Sequence, residues 1–311
     1  MKEMNSFGDN NLVHYEGILG VFDYDPEEFE VRKIWYHEYL HYHGNGKSVD
    51  LPEGCTDTSY MFSECKLPEG FSLGEHFDTS NVTYMEHMFS CCKLPKGFSL
   101  GEHFDTSNVT YMHSMFRFCK IPDDFSLGER FDTSNVWNMA SMFGECTLPK
   151  DFTLGEHFDT SNVTDMSFMF SECKLPEGFS LGEHFDTSYV TDMSGMFNKC
   201  KLPKGFSLGE SFDTSDVTDM ERMFAFCKLP GGFSLGERFD THNVTDMGSM
   251  FWECELPKDF SLGEHFNIRK VTEMKFMFCK CIYNGVGIYD YFKTHDDKEI
   301  IEKLKKALGE C

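Results

Sequence analysis

Nine cysteines stand 27 residues apart along the chain, and their register never slips. Thiols can ligate metals or act as nucleophiles, but both roles need a local ligand cluster or an activated thiolate. A cysteine that recurs in every repeat is better explained as a small buried side chain. We therefore expect reduced thiols and no metal or cofactor. The cysteine column is Cys65, Cys92, Cys119, Cys146, Cys173, Cys200, Cys227, Cys254 and Cys281.

Two acidic columns share this period, one of glutamates and one of aspartates. A line of carboxylates could hold calcium, imitate the phosphates of a nucleic acid, or only keep the protein soluble. The formal charge of −24 repels nucleic acids and anionic membranes and attracts a basic protein partner. The glutamate column is Glu75, Glu102, Glu129, Glu156, Glu183, Glu210, Glu237 and Glu264, and the aspartate column is Asp78, Asp105, Asp132, Asp159, Asp186, Asp213 and Asp240.

No group of residues in the sequence forms a recognisable catalytic motif. A Gly-rich phosphate loop, paired Cys-x-x-Cys clusters and a nucleophile elbow are all absent. Repeated carboxylates and histidines do not make a catalytic site, since catalysis needs one unique geometry. His37, His41 and His43 could place two ligands on one helical face, but they lack a second ligand cluster. We expect a protein that is not an enzyme, with no catalytic, cofactor or metal residues.

The elements that carry these columns are predicted from one repeat, residues 148–174. Phe152 to Phe158 begins with alternating apolar and polar residues, which predicts a short parallel strand. The apolar residues from Val163 to Cys173 then recur at i, i+3, i+6, i+7 and i+10, which predicts a helix of two to three turns. The fold class predicted is an α/β repeat solenoid, similar to a leucine-rich repeat, with about 27 residues per coil and one strand and one helix in each.

Three parts are predicted along the chain. Residues 1–50 form an N-terminal cap with a β-hairpin of Gly17–Tyr24 and Phe29–Tyr36. Residues 51–282 form the solenoid, with one short coil at 51–66 and eight full coils. Residues 283–311 close the stack with an amphipathic helix that begins at a capping box, Thr294 to Asp297. A cap matters because an open coil leaves an unpaired edge.

Residues that break the repeat are candidates for partner binding, because the uniform apolar columns belong to the core. Tyr84, Tyr111 and Trp137 occupy two adjoining positions in the first three full coils, and we name them the aromatic strip. Exposed aromatic and Arg side chains are enriched at interface hot spots, although drift after duplication would give the same pattern at single sites. The other candidates are Arg117, Phe118, Phe168, Arg222, Phe226, Trp252 and the eight members of the glutamate column.

The stretch from Asn162 to Cys173, with its Asn-Val-Thr-Asp-Met opening, resembles mycoplasma-type surface-protein repeats. These repeats are related to BspA-like leucine-rich repeats. The resemblance covers about residues 51–282 and is specific because it recurs eight times. It implies a leucine-rich-repeat-like solenoid with a binding or adhesion role and no general enzymatic activity.

The expected function is a protein–protein interaction in which the acidic surface binds a basic partner. One alternative is a nucleic-acid-mimicking inhibitor of a host DNA/RNA-binding or defence protein, encoded by a phage or mobile element. Another is a surface adhesion repeat protein. Neither a signal peptide nor an anchor is visible, so we expect a cytoplasmic protein without membrane insertion or direct nucleic-acid binding. The oligomeric state stays open.

Overall fold

A computed structural model describes residues 13–17, 20–24, 48–51, 54–283 and 286–287 of the chain. Seven short strands lie in this part: β1 Val13–Gly17, β2 Gly20–Tyr24, β3 Ser48–Val49, β4 Ser72–Leu73, β5 Glu255–Leu256, β6 Ile282–Tyr283 and β7 Val286–Gly287. β1 and β2 pair antiparallel, β3 and β4 pair parallel, and β6 pairs parallel with β5 and antiparallel with β7. The described residues contain no helix.

Between these strands, the repeats stack in sequence order with an offset of 27 residues. Parallel β-bridges join one residue of each repeat to its equivalent in the next, from Asp57 to Glu273, and no step is missing. We name this row of paired residues the first ladder. The repeat inferred from the cysteine spacing is therefore a structural repeat. The first ladder consists of Asp57, Tyr84, Tyr111, Asn138, Asp165, Asp192, Asp219, Asp246 and Glu273.

The predicted helix in each coil is wrong, because residues 166–173 form consecutive tight turns. The N–H groups of Met169, Ser171 and Cys173 donate to carbonyls three residues back, at 3.2, 3.0 and 3.1 Å. The N–H groups of the residues between them donate forward to the next repeat, for example Phe170 to the Met196 carbonyl at 2.9 Å. An α-helix needs every N–H for a carbonyl four residues back. Because alternate N–H groups bond to the next repeat, residues 166–173 cannot form an α-helix.

Two residues in each turn segment have left-handed backbone conformations. In the repeat used above these are Phe168 with φ 55° and Glu172 with φ 54°. All 17 non-glycine residues with positive φ in the described part of the chain fall at these two positions. Such a conformation costs about 1–2 kcal/mol for an L-residue. The strong forward bonds, such as Glu172 N–H to the Asn198 carbonyl at 2.7 Å, offset this strain.

The predicted strand is also wrong for most repeats. Only β4 lies at the predicted position, in the first full repeat, where it pairs with β3. In the repeat at 148–174, a turn closed by the Phe152 N–H and the Pro149 carbonyl precedes this segment, and Gly155 has φ 89°. These two bends keep the Phe-x-Leu stretch too short for a continuous ladder. The leucine-rich-repeat-like α/β solenoid is therefore not the fold.

The predicted caps are corrected or lie outside the described residues. A hairpin is present, but β2 pairs with the upstream β1 across residues 18–19. The expected second strand, Phe29–Tyr36, lies outside the described residues, and so does the C-terminal helix with its capping box. His37, His41 and His43 also lie outside them. The three-part division of the chain stays a prediction.

The core consists of the Phe, Met, Val, Leu and Cys columns, which are buried in most repeats as their recurrence predicted, while a few members such as Leu73 and Phe266 are partly buried. Phe170 stacks on Phe143 and on Phe197 of the adjacent repeats, with ring centroids 5.8 Å apart in both pairs. Phe152 packs edge-on to Phe143 at 5.7 Å. Full burial of each Phe contributes about 1.5–3 kcal/mol. The stack therefore depends on apolar columns that run its whole length.

A buried hydroxyl column provides a test of this packing. Thr160 Oγ1 donates to the Asp186 carbonyl in the next repeat at 2.7 Å and is almost completely buried. We expect Thr160→Val to lower the free energy of unfolding by about 1–3 kcal/mol, because it leaves the partly buried Asp186 carbonyl without this donor. Thr164 Oγ1 donates to the Trp137 carbonyl at 3.2 Å on the exposed surface, so Thr164→Val is the matched control. Urea denaturation measures both, and equal losses would contradict the prediction.

Candidate functional site

The first ladder places one side chain per repeat in a single row on the surface. Where the ladder residue is Asp or Asn, its Oδ1 accepts the N–H group two residues ahead, as in Asp192 with Ser194 at 2.8 Å and Asp219 with Glu221 at 2.8 Å. This local bond fixes the side chain against its own backbone. The Asp and Asn side chains of the row are therefore held in place by the chain itself. We name the surface formed by the first ladder and the exposed residues one and three positions before it the ladder face.

The aromatic strip lies on the ladder face, and its three predicted side chains are in contact. The rings of Tyr84 and Tyr111 stack with centroids 5.5 Å apart and an angle of 10°. Trp137 lies 6.3 Å from Tyr111 at an angle of 54°. Tyr84 is 44% exposed and Trp137 is 55% exposed. The structure thus brings together residues that are 53 positions apart in the sequence, from 84 to 137.

Tyr189 is a further aromatic residue of this face that the sequence prediction missed. It is 62% exposed, the highest value among the large apolar side chains of the described residues. Its position belongs to a column in which Asn162 and Asn135 donate their side-chain amides to carbonyls of the preceding repeat at 2.7 Å. The signal was available in the sequence, because Tyr189 is an aromatic residue that interrupts a column of asparagines.

The carboxylates of the first ladder, Asp165 to Glu273, form the other half of the face and were also missed. Burial, together with the neighbouring charge of Asp165, raises the pKa of Asp192. Burial raises the pKa of Asp219 to about 6, and the charges of Asp192 and Asp246 add to this shift. The sequence prediction assigned these residues to the start of a helix. Their alignment in one row depends on the turn structure that replaces that helix.

The glutamate column is exposed in all eight repeats, as expected for side chains beside a glycine bend. Within the described residues, no ion pair involves these glutamates. The Arg residues that follow two of them pair with the aspartate column of the preceding repeat, Arg130 with Asp105 at 3.5 Å and Arg238 with Asp213 at 3.8 Å. The aspartate column also accepts backbone N–H groups, as in Asp159 with Ser161 at 2.8 Å. These aspartates therefore close tight turns of their own backbone.

Arg117, Phe118 and Phe168, also predicted as partner-binding residues, lie in the turn segments and not on the ladder face. Arg117 pairs with Glu145 of the next repeat at 3.2 Å, and its guanidinium lies 4.9 Å from the centroid of Phe118. Phe168 packs over Gly195, where an added Cβ would come within 2.3 Å of the ring. Phe118 is exposed, whereas Arg117 and Phe168 are partly covered. Contacts between repeats therefore explain much of this group.

Arg222, Phe226 and Trp252 form a second group in the turn segments further along the stack. Phe226 lies 5.0 Å from Trp252, and Trp252 lies 6.3 Å from Phe276. Arg222 pairs with the adjacent Glu221 at 3.2 Å. The aromatic members of this group contact one another across successive repeats, but the structure does not bring them to the aromatic strip. They lie at the turn positions, three to seven residues after the first ladder.

The cysteine column is buried, apart from a partly exposed Cys65, and is unsuited to thiolate chemistry. Burial raises the pKa of the Cys146 thiol to about 12, and Cys146 donates to the Phe116 carbonyl at 2.8 Å. Cys279, outside this column, is disulfide-bonded. Within the described part of the chain, no group of His, Cys, Asp and Glu side chains is arranged to hold a metal ion. The same residues include no helix that is long and apolar enough to cross a membrane.

A family described as Mycoplasma protein of unknown function, DUF285, matches four overlapping stretches of the chain. They are residues 56–175, 102–204, 151–229 and 177–284, so that together they span 56–284. No curated protein and no solved structure matches the chain. The mycoplasma-type repeat resemblance is confirmed by this match, whereas the relation to BspA-like leucine-rich repeats is not.

The crowding of carboxylates in the first ladder predicts that Asp219→Asn stabilises the protein at pH 7. The pKa of Asp219 rises from 3.8 to about 6 on folding, so the folded protein binds more protons between these values and loses stability as the pH rises through them. Asn keeps the turn bond, as Asn138 Oδ1 accepts the Ala140 N–H at 2.9 Å. Melting temperatures measured at pH 4 and pH 7 should show a gain mainly at pH 7. A variant that is less stable at both values would refute the prediction.

Proposed function

The chain belongs to the Mycoplasma family of unknown function DUF285, whose match covers most of its length, and we propose that it is a non-enzymatic protein-interaction repeat protein. Its ladder face binds a protein partner with a basic surface. The observation that carries this proposal is the aromatic strip, three contacting aromatic side chains of which two are strongly exposed. Tyr and Trp supply large contact area with little loss of conformational freedom on binding, so they are frequent hot spots.

The partner's basic character follows from what surrounds the strip. The first ladder continues from Tyr84 and Tyr111 through Asn138 into four aspartates and Glu273. The whole chain carries a formal charge of −24, so the field beyond the face has the same sign. Complementary charge speeds encounter and selects against acidic competitors. A basic protein segment satisfies both halves of the face, because guanidinium and ammonium groups bind aromatic rings as well as carboxylates.

The ring arrangement favours a protein partner over a sugar. Tyr84 and Tyr111 stack almost parallel, with an angle of 10°, so each covers a face of the other. A sugar that stacks on an aromatic ring needs a free ring face, and the stacking covers one face of each ring in this pair. Edges and hydroxyls are suited to peptide groups and to the apolar stems of Lys and Arg side chains.

A nucleic-acid-mimicking inhibitor is the second candidate, favoured by the eight exposed glutamates that follow one another repeat by repeat. Neighbouring parallel backbones lie about 4.8 Å apart, so the glutamates would repeat at about this distance. It is comparable to the spacing of about 3.4 Å between charges along one DNA strand, without matching it. The partner would then be a DNA- or RNA-binding protein of the host. Binding that free DNA competes away distinguishes this candidate from the first.

The aromatic strip is tested by replacing its residues with those that the same columns carry in other repeats. Tyr84→Asn, Tyr111→Asn and Trp137→Thr follow Asn138 and Thr164, so the turn and ladder bonds are kept. We expect the triple variant to lose at least about tenfold of its affinity for a basic partner, since truncated hot spots cost more than about 1 kcal/mol each. Capture from the native host, quantified at two salt concentrations with and without DNA, measures the loss.

The control for this experiment replaces exposed aromatic residues of the turn segments. Phe118→Glu and Phe226→Glu introduce the residue that Glu145 and Glu172 provide in the same column. We expect this double variant to capture the partner as the unmodified protein does. Undiminished capture by the aromatic-strip variant would count against the strip, and unchanged thermal melting of both variants excludes unfolding as a cause.

A further inference from the structure

The distance between successive residues of the first ladder can be compared with the distances at which side chains repeat in a bound partner segment of each regular conformation. We infer that the partner segment is a basic polyproline II segment with a cationic side chain at every third residue. This inference rests on the proposed function and specifies its partner. It comes from three features of the ladder face: the unbroken row of rungs, the half-buried carboxylates, and the angle between two of the aromatic rings.

The first ladder contributes one residue per repeat, and we call each of these residues a rung. Parallel bridges join every successive pair from Asp57 to Glu273. Rungs of parallel backbone lie about 4.8 Å apart, so two rungs span about 9.6 Å. A second row of bridges, through Lys66, Lys93 and Lys120, is interrupted before Thr147. Of the two rows of bridges in the described residues, the first ladder is therefore the one without a gap.

A polyproline II helix has three residues per turn and a rise of about 3.1 Å, so one turn spans about 9.3 Å. This length matches two rungs, and the mismatch over four rungs is only about 0.6 Å. An α-helix places a side chain on one face at each turn of about 5.4 Å, which drifts by about 2.4 Å over four rungs. Side chains on one face of a β-strand repeat at about 6.8 Å and match neither one rung nor two. Only the polyproline II period keeps cations and rungs in step.

The carboxylates suit a cation at every second rung. Asp192, Asp219 and Asp246 each accept the N–H two residues ahead through Oδ1, at 2.8 Å in each case. Within the described residues, the second oxygens of Asp219 and Asp246 accept no hydrogen bond. Burial raises the pKa of Asp219, and the neighbouring charges of Asp192 and Asp246 add to this shift. A Lys or Arg placed between two rungs neutralises both, and alternate spacing avoids crowding between the cations.

The aromatic half of the row suits the proline rings of such a segment. Tyr111 and Trp137 are inclined to each other by 54°, which leaves a wedge between two partly exposed rings. Rigid proline-rich segments dock on aromatic-lined surfaces, because their conformation is already formed and little entropy is lost. The same segment can therefore place prolines against the strip and cations against the aspartates, with its axis parallel to the stack.

The test compares two synthetic peptides of identical composition. One repeats Lys-Pro-Pro four times, so that its length of about 37 Å spans roughly eight rungs. The other contains the same lysines gathered at one end, followed by the prolines. With a fluorescent label on each peptide, anisotropy measured at low and at physiological ionic strength should show binding at least about tenfold tighter for the spaced peptide. Equal binding of both peptides would overturn the inference, while the proposal of a basic partner would stand.

Two matched variants show whether position or net charge matters. The ladder variant is Asp192→Asn, Asp219→Asn and Asp246→Asn. The control variant is Asp186→Asn, Asp213→Asn and Asp240→Asn, which removes the same charge from the aspartate column. Asparagine occurs naturally in both rows and keeps the turn bond, since Asn138 accepts the Ala140 N–H and Asn267 accepts the Arg269 N–H, each at 2.9 Å.

We expect the ladder variant to lose most of its affinity for the spaced peptide and the control variant to change it by less than about twofold. Equal losses of affinity in both variants would show that binding depends on net charge alone, which would overturn the inference. Absence of binding by either peptide would also overturn it. The proposed function would still be supported if the protein captures a basic protein from the host and the aromatic-strip variant does not. If the unmodified protein captures no basic protein, the proposed function itself is rejected.

Discussion

The division of backbone N–H groups between a repeat and its successor is the constraint on which this structure depends. In each turn segment, the N–H groups alternate between a carbonyl three residues back and a carbonyl 26 residues ahead, as Met169 and Phe170 illustrate. A repeat that gained or lost one residue would leave these forward donors unpaired in the interior. The constant length of 27 residues follows from this requirement. The same requirement places equivalent residues of successive repeats directly above one another, so every position of the repeat forms a column of side chains.

The same constraint separates two kinds of residue that break the repeat. In the turn segments, large side chains pack against residues of the next repeat, as Phe168 does over Gly195 and Phe226 does against Trp252. Their variation therefore has a structural explanation within the stack. On the ladder face, the aromatic strip consists of rings that contact one another, and Tyr84 and Trp137 project into solvent. Tyr189, further along the face, also projects into solvent. Trp137 and Tyr189 are the most exposed large apolar side chains of the described residues, which makes the ladder face the better evidence for a partner.

Sequence reasoning identified the columns and their burial, because recurrence at a fixed period does not depend on the local backbone conformation. It also grouped the aromatic strip correctly, since adjoining positions in adjacent repeats must be neighbours in any stack. The helix from Val163 to Cys173 was predicted wrongly because tight turns can bury residues at the same spacings as a helix. The acidic row of Asp165 and Asp192 was missed for the same reason. Left-handed conformations at residues such as Glu172 leave no signal in composition, as L-residues of many types occupy them.

The unbroken first ladder has a consequence for how such a protein changes over generations. Because each rung is encoded by an independent block of 27 codons, unequal recombination between similar blocks would add or remove whole rungs. The surface would become longer or shorter in fixed steps, and the remaining rungs would keep their spacing. The number of cations that a partner can engage would change with it, and apparent affinity would change by avidity without any new contact. Gene length would thus tune binding strength in increments.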